Sequence, residues 1–169
     1  MYRTKINEHE AFSEDKLARI FEMARKESPK VHALISLLYT GALRIQDAVG
    51  LTFGSVTQLK ADQDGYRKLY ITAKKSTART VMLGQETVDA VKAYQVSMSA
   101  SDSRVMFPPG DGTNPANKWT KVIKKFYDDR GEKVKSHDFR TTQVTKFYDA
   151  THDILKTQQF VGHSNVNTT

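Results

Sequence analysis

Two arginines, two histidines and a basic turn carry the chemistry this sequence offers. Arg44 lies within Thr40-Gly41-Ala42-Leu43-Arg44-Ile45-Gln46-Asp47, after an apolar run and a glycine. A guanidinium stays charged at any working pH and can bind two phosphate oxygens at once. Asp47 falls within one helical turn of it and is placed to hold Arg44; the plain alternative is a surface Arg–Asp pair worth little. His137 and Arg140, in Ser136-His137-Asp138-Phe139-Arg140, share one helical face. The histidine can donate a hydrogen bond or move a proton while the arginine neutralises charge, or the two are a capping histidine and a solvated arginine. His163 follows Gly162 after an apolar stretch and can donate to a non-bridging oxygen, or sit half-buried at a helix end. Lys74 and Lys75 lie between two β-prone runs, where a lysine can enter a DNA minor groove, protonate a leaving oxygen, or simply stay solvated. Together these residues suit the holding of a phosphate. His9, His32 and His152 have no spacing that makes a site, and no H-E-x-x-H, P-loop or G-x-S-x-G pattern occurs.

The elements that must position these groups are mostly helical. Residues 1–12 read as a polar lead-in. Ser13 is a helix cap with Glu14 and Asp15 in the first turn, and Leu17, Ile20, Phe21 and Ala24 mark one face up to Pro29. A more apolar helix is predicted over 30–40, ending at Gly41, and a short one over 45–50. Leu69-Tyr70-Ile71-Thr72 and Thr80-Val81-Met82-Leu83 are β-prone, with a turn signal at Asp62-Gln63-Asp64-Gly65, which predicts a small antiparallel sheet with a basic connection. Helices follow over 85–99, from Asn114-Pro115 to Gly131, over 138–150 and over 153–161, with a loop at 107–114. The fold class is mainly α with a small antiparallel β-sheet.

The chain has 169 residues, enough for one domain with a substantial core, and no internal repeat. Its 26 Lys+Arg against 19 Asp+Glu give a formal charge of +7, which favours an anionic partner, nucleic acid being the commonest. The absence of cysteine excludes disulfides, thiolate zinc sites and cysteine nucleophiles. No apolar run approaches the ~20 residues that span a bilayer, and Met1-Tyr2-Arg3-Thr4-Lys5 is not followed by a signal-peptide core. The expected location is the cytoplasm of a bacterial or viral host, or the nucleus in a eukaryote.

In order and context the boxes resemble the catalytic domain of the tyrosine recombinases, the phage integrase family. Thr40 to Asp47 looks like that family's first-arginine box, Leu69 to Leu83 like its lysine-bearing hairpin, and His137-Asp138-Phe139-Arg140 like its H-x-x-R box. Val161-Gly162-His163-Ser164 and Thr168-Thr169 look like the G-H-S…T-T segment before its nucleophile. The resemblance implies that Arg44 and Arg140 clamp the scissile phosphate. It implies that His137 and His163 assist proton transfer and oxygen stabilisation, and that Lys74 protonates the departing 5′-hydroxyl. Lys74 is preferred to Lys75 because Arg79 and Met82 then fall where the family has a later basic residue and a proline, although Met82 replaces that proline. Lys75 and Arg79 are the expected DNA contacts and Asp47 the supporting residue.

The same resemblance places the nucleophilic tyrosine about nine residues after His163, beyond Thr169. Tyr148 suits packing on the H-x-x-R helix, and Tyr39, Tyr70 and Tyr127 read as core or edge aromatics. The expectation is a single catalytic domain over 1–169, cut before its tyrosine-bearing helix and without the family's N-terminal DNA-clamping domain. The implied reaction is transesterification on double-stranded DNA, with no cofactor and no metal, the guanidinium groups supplying the positive charge. The complete protein is expected to act as a tetramer on two duplexes and this chain to be a monomer. The rival readings are a DNA-binding module without catalysis, a type IB topoisomerase-like enzyme and, weakest, a metal-dependent nuclease.

Overall fold

The computed structural model of the chain describes residues 11–72 and 78–161. Ser13 caps α1 (Glu14–Glu27), its side chain accepting from the Lys16 N–H at 3.2 Å. Ser28 does the same for α2 (Pro29–Thr40), accepting from Val31 N–H at 3.2 Å. Pro29 therefore opens the second helix, where its missing N–H costs nothing. Helix α2 is buried on nearly every side, through Val31, Ala33, Leu34, Ile35, Ser36, Leu37 and Leu38. It packs against α1, α5 (Gln85–Met98) and α7 (Ser136–Thr151), and so forms the axis of the core.

After α2 the chain turns through Gly41 and Ala42 into α3 (Ile45–Ala48) and α4 (Phe53–Thr57). A side chain at Gly41 would meet the Leu37 carbonyl at 3.1 Å and Leu83 at 3.2 Å, so the close approach of the sheet requires glycine there. Helix α3 stops at Ala48, earlier than the sequence pattern predicts, and α4 has no counterpart in that pattern. With five residues, α4 is too short to show a helical period. Thr52 caps it instead, accepting from Ser55 N–H at 3.2 Å.

Strands β1 (Arg67–Ile71) and β2 (Arg79–Leu83) pair antiparallel in the register Leu69 opposite Val81 and Ile71 opposite Arg79. Strand parity turns Leu69, Ile71, Val81 and Leu83 inward and Tyr70 and Met82 outward. Tyr70 is 64% exposed, so it is not a core aromatic, whereas Tyr127 is fully buried and donates to the Ile20 carbonyl. Burial raises the Tyr127 pKa above its ordinary value.

Helix α6 (Asn117–Asp128) buries Trp119, Ile123 and Tyr127. The rings of Phe53, Tyr94, Phe107 and Trp119 pack edge-on or stacked at centroid distances of 5.0–5.7 Å. Helix α7 begins at Ser136, two residues before the predicted start, and α8 (Ile154–Val161) closes the described chain. The polar lead-in ends in an anchor: Phe12 is buried, its ring edge-on to Phe139 at 5.3 Å and its N–H donating to Thr142 at 2.9 Å. Phe107 sits in the ring cluster with no exposure, so Phe107→Ala should cost about 3–5 kcal/mol in urea denaturation. Val96→Ala, at a position 77% exposed, should stay within about 0.5 kcal/mol of the parent.

Candidate functional site

Arg140 is the anchor of the site. It lies on α7 and is 7% exposed, and its Nε donates to the carbonyl of Ala42 at 2.8 Å. Ala42 belongs to the bend between α2 and α3 and holds a left-handed conformation with φ of 50°. An L-residue pays steric strain there, of order 1–3 kcal/mol, and keeps the conformation only where its surroundings impose it. The Arg140 hydrogen bond is one such constraint. Ala42 is two residues before Arg44, so at most about 7 Å of chain separates them. The structure thus brings the second arginine of the sequence pattern to the backbone that carries the first. A solvated arginine at position 140 does not occur.

Arg44 stands at the N-cap of α3 in extended conformation. It is half-buried, and its guanidinium has no hydrogen bond or ion pair with a described residue. Asp47 does not hold that guanidinium. Its Oδ2 accepts from the backbone N–H of Arg44 at 3.1 Å and from Nη2 of Arg79 at 3.1 Å. The Asp47 and Arg79 side chains are only 6% and 5% exposed. Arg79, expected to face DNA, instead points into the protein. The reason is parity, since residues 79, 81 and 83 share the inward face of β2. That signal was available in the alternation of Thr80 to Leu83. One buried carboxylate thereby ties the arginine-bearing bend to the β-hairpin.

His137 lies in the first turn of α7 and is exposed. One turn separates it from Arg140, about 4.5 Å along the axis. The N-terminus of α7 is closed by Asp138, whose Oδ2 accepts from Lys135 N–H at 3.1 Å. Lys74, Lys75 and His163 lie outside the described residues. Tyr148 is half-buried against His152, with ring centroids 6.1 Å apart, and sits about 12 Å along α7 from Arg140. Among the described residues no group of three or more His, Asp or Glu is placed to hold a metal ion, and no helix is long and apolar enough to cross a membrane.

The family model described as the phage integrase family matches residues 10–169. The chain belongs to that family. Tyrosine recombinase XerD of Corynebacterium glutamicum is 30% identical over 145 residues, which cover 81% of this chain and 45% of the relative. The crystal structure of XerA recombinase superposes with a TM-score of 0.71 at 24% identity, covering 94% of this chain and 56% of that one. The XerH site-specific recombinase bound to a palindromic difH substrate, a post-cleavage complex, gives 0.70 at 21% identity, covering 94% and 47%. The chain spans about half the length of these relatives. The mainly helical fold with its two-stranded sheet is the tyrosine recombinase fold.

Removing one partner from a buried ion pair leaves an uncompensated charge, at a cost of about 3–5 kcal/mol. Asp47→Ala should lose stability on that scale in urea titrations, and adding Arg79→Leu should restore much of it. Additive losses in the double variant would show that the two side chains are not coupled.

Proposed function

We propose that this chain is the catalytic domain of a site-specific DNA recombinase, one that cuts and rejoins strands through a 3′-phosphotyrosyl intermediate. The observation that supports it is the anchoring of Arg140 to the bend that carries Arg44, whose guanidinium has no partner among the described residues. Two guanidinium groups set before the substrate arrives suit a phosphodiester whose oxygens gain negative charge in the transition state. Arg140 is buried, where an electrostatic interaction is stronger than in water. Double-stranded DNA as the partner agrees with the formal charge of +7.

In this reading a tyrosine hydroxyl attacks the phosphorus held by Arg44 and Arg140. The new bond is tyrosyl oxygen to phosphorus, and the bond to the 5′-oxygen breaks. Lys74 gives that leaving oxygen a proton. His137 and His163 donate to the non-bridging oxygens and move the proton of the attacking hydroxyl. A 5′-hydroxyl from a partner strand reverses the step, so the energy of the phosphodiester is conserved in the covalent link. The tyrosine follows His163 by about nine residues in the continuous protein, which works as a tetramer on DNA, whereas residues 1–169 alone are monomeric. The setting is the cytoplasm of a bacterial or viral host.

The test uses the protein with the sequence that continues past Thr169, incubated with nicked suicide DNA. A covalent protein–DNA adduct is expected. Arg44→Ala or Arg140→Ala should slow its formation by at least about a hundredfold, the scale of losing one preorganised charge donor, with a smaller loss of DNA binding. Cleavage unchanged in Arg44→Ala would overturn the role given to it. Binding of specific DNA with no adduct would identify a non-catalytic binding module, and relaxation of any supercoiled plasmid a topoisomerase.

A further inference from the structure

A second cluster of cations gathers around His137, built from the start of α1 and the segment leading into α7. Lys16, Lys133, Lys135 and His137 line an open cavity of about 510 Å³ beside Phe12 and Asp138. The lysines are brought together by the fold. Lys16 Nζ donates to the carbonyl of Lys133 at 3.2 Å and rests over the Phe12 ring at 5.2 Å. Phe12 is in turn fixed to α7 through Thr142. The ammonium groups of Lys133 and Lys135 and the imidazole of His137 have no hydrogen bond or ion pair with a described residue.

Two carboxylates, Asp138 and Glu132, border a group of three lysines, so the cluster keeps a positive excess. Asp138 uses one oxygen to close the N-terminus of α7. Glu132 borders the adjoining cavity and is held by Arg19 at 2.6 Å, which keeps its pKa below the ordinary carboxylate value. Like charges gathered in one open cavity repel, and an anion seated among them removes that cost. Lys133 and Lys135 lie outside the machinery assigned to the scissile phosphate, and His137 is common to both groups.

We propose that Lys16, Lys133 and Lys135 form, with His137, a second phosphate seat for the duplex, taking a backbone phosphate adjacent to the one held by Arg44 and Arg140. This rests on the recombinase reading above. His137 stands one helical turn from Arg140, about 4.5 Å along the α7 axis, which puts the seat beside the residues assigned to the scissile phosphate. The seat fixes the register of the strand and reads no base.

The test measures duplex affinity against salt concentration. Each phosphate contact contributes about 0.9 to the slope of log K against log salt. Lys133→Gln/Lys135→Gln, at two exposed positions, should lower the slope by about 0.9, the share of the one phosphate the seat holds, with little further fall on adding Lys16→Gln. A control with the same charge removed elsewhere, Lys60→Gln/Lys92→Gln, should keep the parent slope. The parent slope retained in the first variant, or an equal fall in the control, overturns the seat while leaving the recombinase reading in place. A parent protein with no salt-dependent DNA binding overturns both. Because Lys16 also packs on Phe12, the double variant is the decisive one, and its thermal midpoint should match the parent.

Discussion

The hydrogen bond from Arg140 to the Ala42 carbonyl fixes the geometry on which everything else here relies. It joins α7, near the end of the described chain, to the bend after α2, ninety-eight residues earlier. From the other side Asp47 holds the backbone of Arg44 and takes the Arg79 guanidinium from the hairpin. The bend is therefore tied to two segments distant in sequence, α7 directly and the hairpin through Asp47. Its one left-handed alanine is held by that grip, and the Arg44 guanidinium has no partner there among the described residues.

The three arginines of this region separate by physics. Arg79 is neutralised by a buried carboxylate and serves architecture. Arg140 is buried and donates to a backbone carbonyl, which fixes its position. Arg44 is half-exposed and has no partner among the described residues. Charge alone does not distinguish them, and burial and partners do. The lysines around His137 extend the same positive field outward, where salt screens it.

Much of this was legible in the sequence. The capping serine at 13, the apolar run of α2 and the paired β-runs each carry a local signal that the fold keeps. The order of the Arg44 and His137–Arg140 boxes pointed to the family. Three features were not legible in the same way. The partner of Asp47 is a residue thirty-two positions away, and pairing at that range leaves no local trace. The inward face of Arg79 follows from strand parity but contradicts the habit of reading a basic residue near a turn as exposed. The anchoring of Phe12 depends on Thr142 and Phe139, so a window around residue 12 alone reads as tail.

Helix α2 has almost no face of its own that water can accept. An isolated segment of that composition would collapse or associate with other chains before it found a stable shape. It becomes stable when α1, α5 and α7 surround it, and these come from the beginning, middle and end of the described sequence. Melting should then be all-or-none, with no partly formed domain that keeps the helix and loses its neighbours. The arginine-bearing bend continues directly from the C-terminus of that helix, so the geometry of the bend exists only in molecules that have completed the whole fold.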